Sequence, residues 1–265
     1  MALRPSIALR NYLLEGGSLK MALSNCTIKV YTGSQPATAD AAPTGTLLCT
    51  YTSSGGTATR EVRAYGSTEL TAGSSGSVDT VGIKLGSSGA TIALLPSAIT
   101  YATSLANTAA LVAAAINNNP KNIYVDASVP SGAIIRLTAK PGVGAVPNSS
   151  WEVVSTVTTL TKTDTNFANG VTAANMLTWG DASAGTLVKS TTETWSGTAA
   201  ATGTAGWFRI EASVSDAGAL DSSEAVMRLD GSIATSGAEL NMTPTSITSG
   251  AVQTISSFSV TLPIA

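Results

Sequence analysis

The chain has 265 residues, 43% of them hydrophobic and only 11% charged, with 14 Lys and Arg against 16 Asp and Glu and no His. The apolar fraction suffices for a buried core and excludes wholesale disorder, while charge far below the roughly 25% of ordinary soluble domains leaves Ser, Thr, Gly and Ala to fill the surface. A net charge of −2 without any basic run argues against nucleic-acid binding, which needs a basic face.

Residues 5–15 predict a short amphipathic helix. Ser6 caps it, Leu9, Tyr12 and Leu13 share one face, and Gly16-Gly17 stops it. This helix reads equally as a plug on the end of a sandwich or as an arm that docks on a neighbour. A second helical turn is expected over 19–23. Strands follow at 26–32 and 46–51, separated by the loop 33–45, where Pro36 and Pro43 exclude a central strand. The TAGSSGS run at 71–77 reads as a flexible joint.

A different pattern occupies 76–165. Strand-like VDTVGIKL and ATIALL precede a helix over 107–120, with Asn107 as the expected cap and a stripe of Leu111, Val112, Ala115 and Ile116. Two alternating strands come next: Ile123, Val125, Ala127 and Val129, then Ala133, Ile135, Leu137 and Ala139. SWEVVSTVTTLTKT reads as one long Thr-rich strand, and 166–170 as the return joint. No apolar run approaches the ~20 residues that span a bilayer, so no membrane partner is expected. The first 17 residues lack the apolar core and cleavage site of a secretory signal.

From 206 onward the period is two. Phe208, Ile210, Ala212 and Val214 point one way; Trp207, Arg209, Glu211 and Ser213 the other. Phe258, Val260 and Leu262 alternate with Ser259 and Thr261. Asp230-Gly231 and Ser236-Gly237 read as turns. The expected fold is therefore mainly β, a β-sandwich or jelly-roll-like domain from 1–75 plus 166–265 with a short N-terminal helix, interrupted by a small α+β domain at 76–165. An insertion is preferred to three units in series, because 24–70 alone has too few strands to bury a face.

Two stretches, KVYTGSQPATADAAPTGTLLCTYT (29–52) and GTAGWFRIEA with RLDGSIATSGAELNMTPTSITSGAVQTISSFSVTLP (203–263), resemble a group of small tailed-bacteriophage virion proteins. The residues carrying the likeness are Tyr31, Gly33, Gln35, Pro36, Asp40, Pro43, Gly45, Trp207, Phe208, Arg209, Asp230, Gly231, Gly237, Leu240 and Phe258. The insert, through Ala113, Ala114, Ile116, Asn117, Tyr124, Leu137, Ala139, Gly142, Gly144 and Asn148, resembles small modules that recur in phage tail and fibre proteins. The resemblance implies a non-enzymatic structural component on the tail, neck or collar, or head surface. Its partners would be copies of itself and other virion proteins. A tail-tip or fibre-like module that binds a host glycan is the alternative.

Without His, Ser-His-Asp and Cys-His chemistry and His-ligated zinc are excluded. No phosphate-binding Gly-rich loop and no calcium-loop spacing occur, and no cofactor is expected. Asp216, Asp221, Glu224 and Asp230 are the only acids grouped closely enough for glycosidase work, yet Asp216 and Asp230 precede small residues and Gly as turn-formers do. Cys26 and Cys49 read as two buried thiols. Trp207 is either covered by the sandwich edge or by the insert, or is an interface anchor; the charge-poor composition favours the anchor. Trp207 and Arg209, with Leu9, Tyr12 and Leu13, are thus the candidate interface residues. Trp151, Trp179 and Trp195 are candidates for stacking on sugars.

Overall fold

The alternating patterns form antiparallel sheets in the computed structural model, which describes residues 3–86, 88–212, 216, 218–222 and 226–261. Ser213, Val214, Glu224 and Leu262 lie outside the described residues. The architecture is mainly β and β-sandwich-like, with three helices among the described residues. The chain divides into two compact units, 1–60 with 173–265, and 61–172.

The first unit opens with β1 (Arg4–Pro5), α1 (Ile7–Leu14), α2 (Leu19–Ala22), β2 (Thr27–Thr32) and β3 (Leu47–Ser53). Ser6 caps α1 as its pattern predicts, its hydroxyl accepting from Leu9 N at 3.2 Å. In the second unit come β4 (Tyr65–Ala72), β5 (Ser77–Leu85), β6 (Thr91–Ala93), β7 (Ile99–Thr100), α3 (Leu105–Asn117), β8 (Val125–Ser128), β9 (Ile134–Ala139), β10 (Trp151–Thr158) and β11 (Thr161–Ala168). The chain then completes the first unit with β12 (Thr186–Val188), β13 (Trp195–Thr198), β14 (Gly203–Glu211), β15 (Arg228–Ala234), β16 (Leu240–Asn241), β17 (Ser246–Ile247), β18 (Val252–Ile255) and β19 (Ser259–Thr261).

The main sheet of the first unit runs β1-β15-β14-β2-β3-β13-β18, with β16 and β17 pairing β15 and β14. Ile28, Val30, Phe208, Ile210 and Leu229 fill its inner face, against Leu9 and Leu23 of the helical segment and the Trp179, Trp195 and Phe258 rings. Phe258 and Val260 are buried while Ser259 and Thr261 are exposed, as the alternation predicts. Asp230-Gly231 is not a turn: both residues sit inside β15, with Gly231 opposite Phe208. A Cβ on Gly231 would stand 2.5 Å from the Phe208 ring, so the glycine makes room for the aromatic rather than bending the chain. Ser236-Gly237 does turn, with Gly237 at φ 72.

In the second unit two sheets, β11-β4-β9-β8 and β10-β5-β6 with β7 on β5, enclose a separate core with α3. The unit begins near Glu61 rather than 76, because β4 belongs to it and pairs with β9 and β11. TAGSSGS is therefore not a joint between units but the turn from β4 to β5. Its Gly76, at φ 106, faces the Thr158 backbone so closely that a side chain has no room. The long Thr-rich strand is two strands in different sheets; the chain reverses at Thr159, φ 64, and Leu160 turns into the core. Ser104, not Asn107, caps α3, and the buried stripe is Ala109, Val112, Ala113 and Ile116, leaving Leu111 exposed.

Motif residues of this unit hold its ends together. Glu61 accepts from Gly142 N at 2.8 Å and Gly144 N at 2.9 Å. Asn148 clasps both backbone groups of Gly170 at 2.8 Å, and Asn117 does the same for Ala127. No described helix is long and apolar enough to cross a membrane.

Replacing Gly231 by Ala is expected to push Phe208 off its site and cost about 1–3 kcal/mol. Calorimetric melting measures this, and an unchanged midpoint would show that the aromatic relaxes freely.

Candidate functional site

On the outer face of the main sheet, the pattern that predicts solvent-facing residues instead builds a buried polar cluster. The sheet register aligns three rows. Arg228, Glu211 and Thr27 stand opposite one another; so do Arg4, Asp230, Arg209 and Lys29; then Ser232, Trp207 and Tyr31. A bare row of this kind would be wet. Here Arg209, Asp230, Glu211 and Trp207 have no exposed surface and Arg228 has 1%.

The cover is the loop 33–45. Pro36 and Pro43 keep it out of the sheet, and Ala37, Thr38, Ala39, Ala41 and Ala42 are small enough to let its backbone approach. Its carbonyls point at the cations. Ala41 O accepts from Arg209 Nη1 at 3.0 Å, and Ala39 O and Asp40 O accept from Arg228 Nη1 at 3.3 and 3.2 Å. Pro36 O accepts from Arg4, and Thr44 O from Trp207 Nε1 at 3.2 Å. Proline has a carbonyl but no N–H, which suits a segment that must accept.

Arg209 and Arg228 also each hold a carboxylate bidentately. Arg209 grips Asp230 through Nε and Nη2, both at 2.8 Å. Arg228 grips Asp216 through Nε at 2.7 Å and Nη2 at 2.6 Å, with Ala219 O at 2.9 Å. Planar forks matched to carboxylates are the geometry that best offsets desolvation. Arg209 lies 5.5 Å over the Trp207 ring, which stacks on Tyr31 at 4.5 Å. Lys29 and Arg60 meet Glu211 Oε2 at 2.8 and 3.3 Å.

The same cluster anchors the N-terminal segment. β1 adds Arg4 and Pro5 to the edge of β15. Asp40 accepts from Ile7 N at 2.9 Å, placing a carboxylate at the start of α1 where the helix dipole favours it. Ser6 Oγ accepts from Arg228 N at 3.0 Å and donates to Val226 O at 2.9 Å.

Burial and pairing act oppositely on the two carboxyls. Burial pushes Asp230 up, and Arg209 does not fully offset it, so this group sits above the usual carboxylate range. Burial also raises Asp216, but hydrogen bonding and charge from Arg228 outweigh it and hold this carboxyl low. Tyr31 is pushed up to about 12 by burial and by the Glu211 charge.

Several expectations are corrected by this geometry. Trp207 and Arg209 are internal: the loop 33–45 covers them, so neither offers an interface anchor at the surface. Leu9 is likewise in the core, and Tyr12 and Leu13 are half-buried against it. Asp230 is an arginine partner inside a strand rather than a turn-former; Asp216 keeps the expected turn contact, accepting from Gly218 N at 2.8 Å, and holds Arg228 as well; and Asp221 caps Val226 N at 2.7 Å. The candidate sugar-stacking rings are buried too: Trp151, Trp179 and Trp195 are at most 8% exposed. Strand alternation alone points neither to the loop as a cover nor to the Arg228–Asp216 pair; QPATADAAP between two strands, opposite cationic alternate positions, is the signal for the cover.

Cys26 and Cys49 are free and buried, with thiols pushed by burial up to about 12 and about 11. Both are expected to resist a thiol reagent at pH 8 in the folded chain and to react once it is unfolded in guanidinium; rapid labelling of the native chain would contradict this burial. For the clasp, Asp230→Asn leaves Arg209 buried without its counter-charge and should cost about 3–5 kcal/mol. An Arg209→Met, Asp230→Leu double variant should recover most of that loss in a denaturant titration; additive losses would mean that the pair is not the unit of stability.

Comparison with protein-family models, with curated proteins and with solved structures finds no match to this chain.

Proposed function

We propose that the chain is a non-enzymatic structural component of a tailed-phage virion, an oligomer on the tail, the neck or collar, or the head surface, partnered by its own copies and by other virion proteins. One observation carries the reading. The residues of the resemblance in the flanks converge on one construction: Tyr31, Pro36, Asp40, Trp207, Arg209 and Asp230 all belong to the clasp, and Gly231 makes room for Phe208 beneath it. Their shared role is to fasten a covering loop and an N-terminal segment to a sheet. That is an architectural motif, and a likeness in it is a likeness in how the part is built.

The acids support the same reading. Asp216 and Asp230 are each held by an arginine, so neither is free to transfer a proton or attack a sugar. The low charge of the chain suits surfaces that pack against neighbours. Binding of a host glycan finds no aromatic platform among the four tryptophans and is the weaker reading.

Antibodies raised against the purified chain test the proposal. In gradient-purified phage particles from cells that express the gene, the chain should co-sediment at fixed stoichiometry, and gold-labelled antibody should mark one region of the particle. A chain left wholly in the soluble fraction, with unlabelled intact particles, would sink it.

A further inference from the structure

We propose that the outer face of the β11-β4-β9-β8 sheet is a docking surface for a carboxylate-bearing segment of a partner protein, read by Arg136 stacked on Tyr65. The inference concerns the second unit alone and stands whether or not the chain belongs to a virion.

Arg136 on β9 lies opposite Ser67 of β4, and Tyr65 lies opposite Thr138, so the two are diagonal neighbours on one face. The guanidinium sits 4.5 Å over the Tyr65 ring, and Tyr65 is 36% exposed. Among the described residues the Arg136 side chain makes no hydrogen bond and no ion pair. Its Nε is covered and unpartnered, which leaves the two Nη groups as the edge through which it can be satisfied. Arg209 and Arg228 hold their carboxylates side-on, through Nε and Nη2; with its Nε covered, Arg136 offers the other bidentate edge, Nη1 and Nη2, and a carboxylate would meet it end-on.

Charge fixes the sign of the occupant. On the same face Arg63, at 2.6 Å, and Lys140 share the single carboxylate of Asp126. Three cations thus face Asp126 and Glu69, an excess of positive charge on a chain whose net charge is −2. Stacking on Tyr65 already restrains the Arg136 side chain, so a carboxylate that docks there costs less ordering entropy. An Arg beside a part-exposed Tyr is also the composition of protein-binding hot spots. A polyanion read through charge alone would need neither the fork nor the ring.

The test is fluorescence anisotropy of a labelled hexaglutamate peptide titrated with the full chain at low salt, with heparin as the competing class of anion. Hexaglutamate should bind, and Arg136→Gln should weaken it about tenfold. Arg136→Lys, which keeps the charge and loses the planar fork, should also weaken it, and so should Tyr65→Leu. Lys121→Gln removes one exposed cation from the same unit and should leave binding unchanged. Melting curves that match the parent chain secure the folding of the variants. Three results overturn the proposal: no hexaglutamate binding, an equal loss in Lys121→Gln, or heparin binding that ignores Arg136→Gln and Arg136→Lys.

Discussion

Two arginines buried on the wrong side of a sheet are the constraint around which the first unit is arranged. Arg209 and Arg228 project from the face opposite the apolar core, where the alternation of β14 and β15 would leave them in water. Taking a guanidinium out of water costs several kcal/mol unless nearly every N–H finds an acceptor. Asp230 and Asp216 supply two acceptors each, and the carbonyls of residues 39, 40, 41 and 219 supply more. The loop 33–45 must lie flat for those carbonyls to reach, and it does because its residues are proline, alanine and other small types. The N-terminal strand and helix then fasten to the same residues. Removing one charge leaves its partner stranded under the loop, so cover and clasp stand or fall together.

Much of this fold is legible in the sequence because one face of most strands is apolar. Phe208 and Ile210, Val125 and Ala127, Ile135 and Leu137 announce their strands and their buried side by alternation alone. Ser6 and Gly16 bound α1 for local reasons that tertiary structure does not override. What alternation cannot show is the fate of the other face. Trp207, Arg209 and Glu211 read as outward, and they are; that the outer face is roofed depends on a loop from a segment far away in sequence. Asp230-Gly231 fails for a related reason. The dipeptide is a strong turn signal on local chemistry, but Asp230 is needed opposite Arg209, and Gly231 is needed under Phe208. Tertiary demand chose both residues.

The second unit reaches closure by another route. Its charged groups are few and mostly peripheral, and polar side chains bond to backbone instead. Asn117 ties α3 to β8, and Asn148 and Glu61 tie the loop after β9 to the ends of the unit. Asp164 accepts from Thr68 and from Ser155, linking strands of the two sheets through one carboxylate. Misplacing the unit's start by a strand follows from the Gly-Ser run at 71–77, whose composition fits a linker as well as a turn. Only the pairing of β4 with β9 and β11 decides between them.

The distribution of charge bears on what the chain can do at its surface. Arg4, Lys29, Arg60, Arg209 and Arg228, five of the 14 Lys and Arg, lie in or against the clasp, and Asp216, Asp230 and Glu211 are buried with them. The exterior is therefore poorer in charge than the composition already implies. Weak self-repulsion lets copies and neighbours approach, which is what a permanently packed part needs and what a freely diffusing enzyme gains little from. Against so neutral a background a single unpaired arginine stands out more than it would on an ordinary surface. Among the described residues no acid pairs with Arg136, and Asp126 on the same face is already shared by Arg63 and Lys140. Low surface charge and a specific ionic contact are thus compatible: the first permits close packing, and the second gives one face a direction in which to pack.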